Sequence, residues 1–312
     1  MKEVIVIGHK NPDTDSVVSA IVMSQLINQA QGPVSGNAIP KISGRPNKET
    51  EFVLNHFEQD APDIVESLVG EDVFLIDHSE FSQSVDGIEE ANLVGVLDHH
   101  NMGGIKTASS IFYKAEPIGS TATIIAKIFS GRNIELNKKQ AGLLLAAIIS
   151  DTLKFTSPTT TKIDKDVAQK LVEISGEDID QLAEAMFEAK SDIFGISALE
   201  LVSKDYKEFE VGGKKFGIGV WETVKPEKIE ALKEEILFSL EKTKEEKGLD
   251  LIFFGIVDII GNKTKVIFLD SDKEALEEVF GIQSNNNSLV LEGVVSRKKQ
   301  MAPLVINYFE KK

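Results

Sequence analysis

Short apolar runs alternate with longer, helix-like segments over the first 189 residues of the chain. The apolar runs that are short enough to be buried strands occupy residues 3–8, 73–76 and 93–97. Segments with helical spacing of apolar positions lie between and after them, near residues 15–30, 47–57, 120–130, 138–150 and 164–174. This alternation predicts an α/β domain over residues 1–189, built on a doubly wound, mainly parallel sheet.

The alternation pauses at residues 190–195, which we interpret as a linker, and a different pattern follows over residues 196–312. Gly212 and Gly213 predict a hairpin turn between strands at 208–211 and 216–221. Helices are predicted near 226–247, where Pro226 suits the first turn, and near 273–280. Further strands are predicted at 251–257, 266–269, 289–295 and 304–308. We therefore expect a second, smaller α/β domain with a mixed sheet.

The composition excludes several classes of function. A formal net charge of -16 argues against nonspecific binding to nucleic acid or to anionic membranes, which requires a basic surface. The absence of cysteine excludes disulfides, thiolate zinc sites and cysteine nucleophiles. We see no signal peptide and no apolar run near the ~20 residues that span a bilayer. A soluble, cytoplasmic protein is therefore expected.

Acids and imidazoles recur where the predicted elements end. The three apolar runs and the helical segment at 140–150 are followed by one set of polar residues: His9, Asp13, Asp15, Asp77, Asp98, His99, His100 and Asp151. In open parallel sheets, ligands bind in the crevice beyond the carboxyl ends of the strands. We therefore expect these side chains to converge on one edge of the first sheet.

This set suits divalent metal ions. Its direct candidates carry four carboxylates and two imidazoles, which matches the charge of two divalent cations: His9, Asp13, Asp15, Asp77, His99 and Asp151. A two-metal centre activates water and clamps a transferring phosphoryl group. Each residue also has a simpler explanation, since an Asp often caps a helix or occupies a turn. Three of the five histidines nevertheless lie in these segments, and we interpret His56 and His78 as structural or supporting residues.

Four segments resemble the metal motifs of the DHH phosphoesterase superfamily. They are His9 to Ser16, Leu75 to His78, Asp98 to His100 and Ser150 to Thr152. Ser296-Arg297-Lys298-Lys299-Gln300 further resembles the signature of family II inorganic pyrophosphatases, and the resemblance covers essentially the whole chain. It implies a DHH domain followed by a substrate-binding domain, and hydrolysis of pyrophosphate to two phosphates by a metal-bridged hydroxide.

The resemblance also implies which residues hold the metals. It implies two Mn²⁺ or Co²⁺ ions bridged by Asp77, with the other ligands in two sets: His9 and Asp13, and Asp15, His99 and Asp151. Mg²⁺ would accompany the substrate, and two chains would form a homodimer through the N-terminal domain. His100 would be the acid or hydrogen-bond donor toward the departing phosphate, and Asp98 would orient an imidazole.

The second domain is expected to act as a phosphate clamp. The resemblance assigns phosphate binding to Arg297, Lys298 and Lys207, although Lys204 lies only three residues from Lys207 and sequence hardly separates the two. An arginine offers a planar fork for two phosphate oxygens, and a lysine offers a movable point charge. Cations on one domain and metals on the other would imply a cleft that closes on the substrate.

Two alternatives remain open. The chain could be another phosphohydrolase of the superfamily that acts on polyphosphate, oligonucleotides or cyclic dinucleotides. His9 and the motif around Arg297 favour pyrophosphate, and the nearest glycine pair, Gly212-Gly213, lies in the predicted hairpin rather than in a glycine-rich substrate motif. The second alternative is a catalytically silent sensor, but residues 36–74 leave no room for an inserted nucleotide-binding domain.

Overall fold

The computed structural model describes residues 3–29, 34, 37–102, 104–107 and 109–311. Its contacts divide the chain into two units, of which the first ends at Ala189 and the second begins at Lys190. Within the described residues, no helix is both long and apolar enough to cross a membrane.

The described part of the first unit contains a six-stranded sheet in which every neighbouring pair is parallel. Its strands are β1 (Glu3–Ile7), β2 (Asn37–Ile42), β3 (Asp63–Ile64), β4 (Asp72–Ile76), β5 (Asn92–Asp98) and β6 (Phe112–Ala115). They lie in the order β3-β2-β1-β4-β5-β6. The chain thus leaves β1 toward one side of the sheet and later returns to its other side at β4. This reversal opens a crevice beyond the carboxyl ends of β1 and β4, which is where doubly wound sheets bind ligands.

Helices accompany this sheet: α1 (Thr14–Gln29), α2 (Lys48–His56), α3 (Thr121–Gly131), α4 (Lys138–Asp151), α5 (Lys162–Ser175) and α6 (Ile179–Lys190). Two of them, α1 and α4, are buried nearly all round and contact each other. Their small and apolar residues permit this close packing, and a β-carbon at Gly142 of α4 would overlap with the ring of Phe57. Each of these helices has one end at the crevice: Asp15 lies in the first turn of α1, and Asp151 is the last residue of α4.

The described part of the second unit contains a five-stranded sheet in the order β11-β10-β9-β8-β7. The strands are β7 (Tyr206–Val211), β8 (Lys214–Thr223), β9 (Leu251–Asp258), β10 (Lys263–Phe268) and β11 (Ser288–Glu292). β8 and β9 are parallel, and the other neighbours are antiparallel. The predicted fold class, a parallel α/β domain followed by a mixed-sheet α/β domain, is therefore confirmed.

The helices of the second unit cover both faces of its sheet and correct two predictions. They are α7 (Ala198–Lys204), α8 (Pro226–Glu230), α9 (Lys233–Lys247), α10 (Lys273–Phe280) and α11 (Ala302–Glu310). The single helix predicted over 226–247 is divided into α8 and α9, because the chain turns at Leu232. The strand predicted at 304–308 is wrong. Ala302 and Val305 are buried whereas Leu304 is 43% exposed, so burial follows a helical rather than an alternating period.

Candidate metal centre

The crevice at the carboxyl edge of the first sheet collects the acids and imidazoles predicted from sequence. His9 follows β1, Asp77 follows β4, His99 follows β5 and Asp151 is the last residue of α4. Among the described residues, ligand atoms come within 4.8 Å of one another in groups that share Asp77: His9, Asp13 and Asp77; Asp15, Asp77, His99 and Asp151; and Asp77, His99 and His100. The six predicted metal ligands thus lie together, in two sets joined by one carboxylate.

The first set is built on the loop between β1 and α1. His9 Nε2 lies 3.3 Å from Asp13 Oδ2 and 3.5 Å from Asp77 Oδ2. The other oxygen of Asp13 accepts a hydrogen bond of 2.9 Å from the backbone N–H of Ser16. Asp13 therefore caps α1 with one oxygen and faces His9 with the other. Its role as a helix cap is thus compatible with its predicted role as a metal ligand.

Tight backbone geometry positions His9 and Asp77, the candidate ligands that follow β1 and β4. A β-carbon on Gly8 would lie 2.5 Å from the Cβ of Ser16, so only glycine lets this loop pass so close to the start of α1. Asp77 has a φ of 64°, in the left-handed region that Asp tolerates better than most residues. This conformation turns the Asp77 side chain away from the strand direction and into the crevice.

The second set lies beside the first and is more deeply buried. His99 Nε2 is 3.3 Å from Asp77 Oδ1 and 3.3 Å from Asp151 Oδ2. The opposite ring nitrogen, Nδ1, donates a hydrogen bond of 2.9 Å to the backbone carbonyl of Ile118. Because that bond holds the Nδ1 proton, the Nε2 lone pair of a neutral ring faces the carboxylates, as a metal-binding imidazole requires.

Asp15 is held by the amino end of α3. The backbone N–H groups of Thr121 and Ala122 donate to its carboxylate at 2.6 and 3.0 Å, and the Ser19 hydroxyl donates at 2.9 Å. The Thr121 hydroxyl also donates to Asp77 Oδ1 at 2.8 Å. The partial positive charge of a helix amino terminus favours a carboxylate at this position.

The crowding of charge shows in the pKa values of the imidazoles. Burial lowers the pKa of His9, but its contacts with Asp13 and Asp77 outweigh burial and raise that pKa to about 10. For His99, contacts with Asp151 and Asp77 likewise outweigh burial and raise the pKa to about 12. The same contacts hold the pKa of Asp77 far below its usual range, against the effect of its burial. The carboxylates therefore stabilise the positively charged, protonated form of both imidazoles.

Two further acids are destabilised in their charged form. Burial, followed by repulsion from Asp77, raises the pKa of Asp15 to about 6. Burial, followed by repulsion from Asp15, raises the pKa of Asp151 well above its usual range. Cations placed between these acids would relieve both effects.

The donor atoms fit divalent metal ions. Asp77 Oδ2 and His99 Nε2 are buried and have no hydrogen-bond partner among the described residues. Such atoms are costly to bury unless something other than a hydrogen bond engages them. Carboxylate oxygens and imidazole nitrogens are ligands that Mn²⁺, Co²⁺ and Mg²⁺ accept to different degrees. The first unit therefore holds a cluster that is able to bind metal.

The remaining histidines of the first unit have distinct surroundings. The side chain of His100 is 53% exposed, and its Nδ1 lies 3.0 Å from Asp98 Oδ1, a hydrogen bond that raises the pKa of His100. His78 is buried between the carbonyl of Ile76 and the hydroxyl of Ser84, each at 2.8 Å, and burial lowers its pKa. Asp98 thus orients His100, and His78 stays a neutral supporting residue.

His56 lies outside the cluster. Its Nε2 is 3.2 Å from Glu177 Oε2, and its ring stacks on Phe52 with ring centres 5.6 Å apart. These contacts are those of a structural residue joining α2 to the chain after α5.

The predicted phosphate-binding residues lie in the second unit. Arg297 begins a wide helical turn, Arg297–Met301, and Ser296 caps this turn. The Arg297 guanidinium donates to the backbone carbonyl of Asp205 and, at 2.7 Å, to Asp205 Oδ1. Among the described residues, these two contacts use two of the five N–H groups of the guanidinium, whose side chain is 10% exposed.

Lys204 and Lys207 differ in their surroundings. The Lys204 ammonium lies over the Trp221 ring, 5.0 Å from its centre, which is a cation–π contact within the second unit. Lys207 is exposed on β7, two residues after the Asp205 that holds Arg297. Lys298 lies next to Arg297 in the helical turn.

Sequence reasoning missed the residues that hold the ligands in place. Thr121 contacts Asp15 and Asp77, and buried Asp164 binds the backbone N–H of Gly119 at 2.9 Å just before α3. A serine followed by a helical pattern at Ser120 signals the start of a helix, but the contact partners lie about a hundred residues away in the chain.

Comparisons with known proteins place this arrangement among enzymes. Residues 3–148 match the DHH family, N-terminal domain, and residues 184–308 match the DHHA2 domain. The manganese-dependent inorganic pyrophosphatase of Methanocaldococcus jannaschii is 42% identical over 96% of each chain. The enzyme of the same name from Bacillus subtilis is 39% identical over 98% of each chain.

Solved structures agree in fold. A putative family II inorganic pyrophosphatase from Methanococcus jannaschii is 41% identical, with a TM-score of 0.67 over 98% of this chain and 99% of that chain. An exopolyphosphatase-related protein from Bacteroides fragilis reaches a TM-score of 0.51 over 99% of this chain and 92% of that chain, at 13% identity, which reflects the fold alone.

Proposed function

The chain belongs to the family of manganese-dependent inorganic pyrophosphatases, and on this premise we propose that it hydrolyses pyrophosphate to two phosphates at the metal centre of its first unit. The observation that carries the proposal is the pair of ligand sets joined by Asp77. A centre of this kind suits phosphoryl transfer, because two cations can neutralise both the attacking and the leaving oxygen.

The proposed cofactors are two Mn²⁺ or Co²⁺ ions, with Mg²⁺ accompanying the substrate. His9 and Asp13 would hold one ion, Asp15, His99 and Asp151 the other, and Asp77 would contact both. When bound, these ions supply an activated water and neutralise oxygens of the substrate. The chain's own contribution is to fix the donors. Asp77 Oδ2 and His99 Nε2, which are buried without a hydrogen-bond partner among the described residues, support this assignment.

His100 is the proposed proton donor to the departing phosphate. Asp98 accepts from both the ring Nδ1 and the backbone N–H of His100, each at 3.0 Å, so the ring orientation is fixed. The hydrogen bond that the ring donates to Asp98 raises the pKa of His100, which favours the protonated ring that an acid requires. His100→Gln, which cannot protonate, is expected to lower kcat while the manganese content stays the same.

We place the substrate clamp on the second unit, residues 196–312, after a linker at 190–195. Arg297 would bind phosphate oxygens with the N–H groups that Asp205 leaves free, and Lys298 would add a neighbouring charge. Lys207 is preferred over Lys204, because the Lys204 ammonium already lies over Trp221. Substrate binding would then bring these cations to the metal centre, in a closure that excludes water.

Phosphate release by chelator-stripped protein tests the proposed activity. Mn²⁺, Co²⁺ or Mg²⁺ is added back in separate reactions with pyrophosphate, long-chain polyphosphate or a di-adenylate as the substrate. The proposal predicts fast release from pyrophosphate, stimulated by Mn²⁺ or Co²⁺, and its loss in Asp77→Asn. A preference for polyphosphate or the di-adenylate would assign the chain to a different branch of the superfamily. Silence on all three substrates with metal bound would indicate a sensor.

The proposed assembly is a homodimer formed through the first unit, without nucleic acid or membrane. Light scattering during size-exclusion chromatography measures it directly. A mass near twice the 34.2 kDa of one chain is expected, and a monomer at working concentration would contradict it.

A further inference from the structure

Thr121, the first residue of α3, contacts two of the proposed metal ligands at once. Its hydroxyl donates to Asp77 Oδ1 at 2.8 Å, and its backbone N–H donates to Asp15 Oδ2 at 2.6 Å. The residue is fully buried. It therefore joins the carboxylate that both ligand sets share to a carboxylate that belongs to the second set alone.

The two oxygens of Asp77 face different partners. Oδ1 is 3.3 Å from His99 of the second set, whereas Oδ2 is 3.5 Å from His9 of the first set. Oδ2 has no hydrogen-bond partner among the described residues, so the bond from Thr121 to Oδ1 restrains rotation of the whole carboxylate. Each oxygen is thereby kept toward its own set.

Helix capping does not explain the Thr121 hydroxyl. Ser120 is the capping residue of α3, and its side chain accepts the hydrogen bond from the N–H of Ala122 at 3.1 Å. The hydroxyl of Thr123, two residues after Thr121, donates to Asp164 at 2.7 Å and not to Asp15 or Asp77. Of these three hydroxyls, that of Thr121 alone is directed at the metal centre.

We propose that Thr121 is a positioning residue of the metal centre, whose hydroxyl sets the orientation of Asp77 so that one carboxylate serves both ions. The inference rests on the proposed two-metal function. Groups that orient metal ligands typically change metal affinity by 10- to 100-fold when they are removed. We expect a loss of this size for at least one Mn²⁺ in Thr121→Val, which keeps the shape of the side chain and removes the hydroxyl.

Mn²⁺ titration of chelator-stripped protein by calorimetry tests this, with the melting temperature of the metal-free protein recorded for every variant. Thr121→Ser keeps the hydroxyl and should bind Mn²⁺ within about threefold of the unmodified chain, as expected if the hydroxyl rather than the methyl group orients the ligand. Thr123→Val is the matched control, since it removes an equally buried hydroxyl from the same helix and should lower the melting temperature without weakening Mn²⁺ binding.

The outcomes separate the possibilities. Weak Mn²⁺ binding in Thr121→Val alone supports the inference. Unchanged binding in Thr121→Val, or an equal loss in Thr123→Val, overturns it while the proposed function stands. If Thr121→Val does not fold, Thr121→Ala and Thr121→Ser are compared, and equal affinities for these two overturn the inference. Failure of the unmodified chain to bind two Mn²⁺ overturns both.

Discussion

Asp164, near the start of α5, is fully buried and accepts four hydrogen bonds. Two of them come from the chain at the start of α3, and two come from Thr161, which caps α5. One oxygen accepts from the Thr123 hydroxyl at 2.7 Å. The other accepts from the N–H of Gly119 at 2.9 Å and from the N–H and hydroxyl of Thr161 at 2.8 and 2.7 Å. Asp164→Ala removes all four acceptor contacts and probes how firmly the start of α3 is held.

The expected cost follows from the donors left behind. Gly119 is in a buried part of the chain and Thr123 is fully buried, so each loses its partner where water does not replace it. An unsatisfied buried donor costs about 1–3 kcal/mol, and loss of the capping box at Thr161 costs about 1 kcal/mol more. Asp164→Ala should therefore destabilise the first unit by about 3–7 kcal/mol. Asp164→Asn keeps one oxygen acceptor and should cost less.

Urea unfolding of the metal-free protein, followed by two probes, measures this loss. Trp221 is the only tryptophan of the chain and lies in β8 of the second unit, so its fluorescence reports that unit, whereas far-ultraviolet circular dichroism reports both. The dichroism transition of Asp164→Ala should move by roughly 1–3 M urea, with the fluorescence transition unchanged.

Asp166→Ala is the control for the Asp164 experiment. Asp166 lies in the same helix, is half-exposed and pairs with the exposed Lys162, so its loss should cost less than about 0.5 kcal/mol. A cost below about 1 kcal/mol for Asp164→Ala would refute the reasoning, because two buried donors cannot lose their partners so cheaply. An equal shift of both probes would refute the assignment of the effect to the first unit.

Two further predictions concern binding. The carboxylates raise the pKa of His9 to about 10 and that of His99 to about 12, and the pKa of Asp151 is also well above its usual range. The protein should therefore release protons from this cluster when it binds Mn²⁺ at neutral pH, because the metal needs unprotonated donors. Mn²⁺ affinity should therefore rise with pH between pH 6 and 8, and calorimetry in buffers of different ionisation enthalpy should count the protons; a pH-independent affinity would contradict this. Arg297→Ala should raise KM for pyrophosphate by about tenfold or more with manganese content unchanged, since it removes a charged fork from the substrate and nothing from the metal centre. Loss of manganese in that variant, measured by atomic absorption, would contradict the proposal that Arg297 binds the substrate.

Much of the metal centre was predictable because local rules and the fold agree. In a doubly wound sheet, the carboxyl ends of β1, β4 and β5 meet at one edge, so residues that end apolar runs must converge there. Asp13 shows why arguments about one residue at a time do not predict the metal centre. Its position before α1 predicts a cap, which it is, and only the neighbouring strand ends point to its second oxygen, which faces His9, as a candidate ligand atom.

Other elements were hidden by the same local rules. β2 contains Pro40, and proline inside an apolar run argues against a central strand. The structure accommodates it because the short β3 pairs only with Lys41 and Ile42, so beside Pro40 the sheet continues on the β1 side alone. α11 was mistaken for a strand because residues 304–308 are mostly apolar and fit both a helical and a strand period. Only the burial of Val305 in the hydrophobic core of the second unit decides between the two.

The residues that hold the ligands could not be found in this way, because their partners are set by tertiary contacts. Thr121 is 106 residues from Asp15 and 44 from Asp77 along the chain, and neither separation has a local meaning. Serine and threonine do, however, recur at fully buried positions of α1 and α3, where apolar residues would pack better: Thr14, Ser19, Thr121 and Thr123. A buried hydroxyl is retained cheaply only where it has a partner. Of the four, the hydroxyls of Ser19 and Thr121 donate to Asp15 and Asp77. Those of Thr14 and Thr123 contact Thr50 and Asp164 instead. Buried hydroxyls beside a predicted metal crevice therefore narrow the search, and the tertiary contact selects among them.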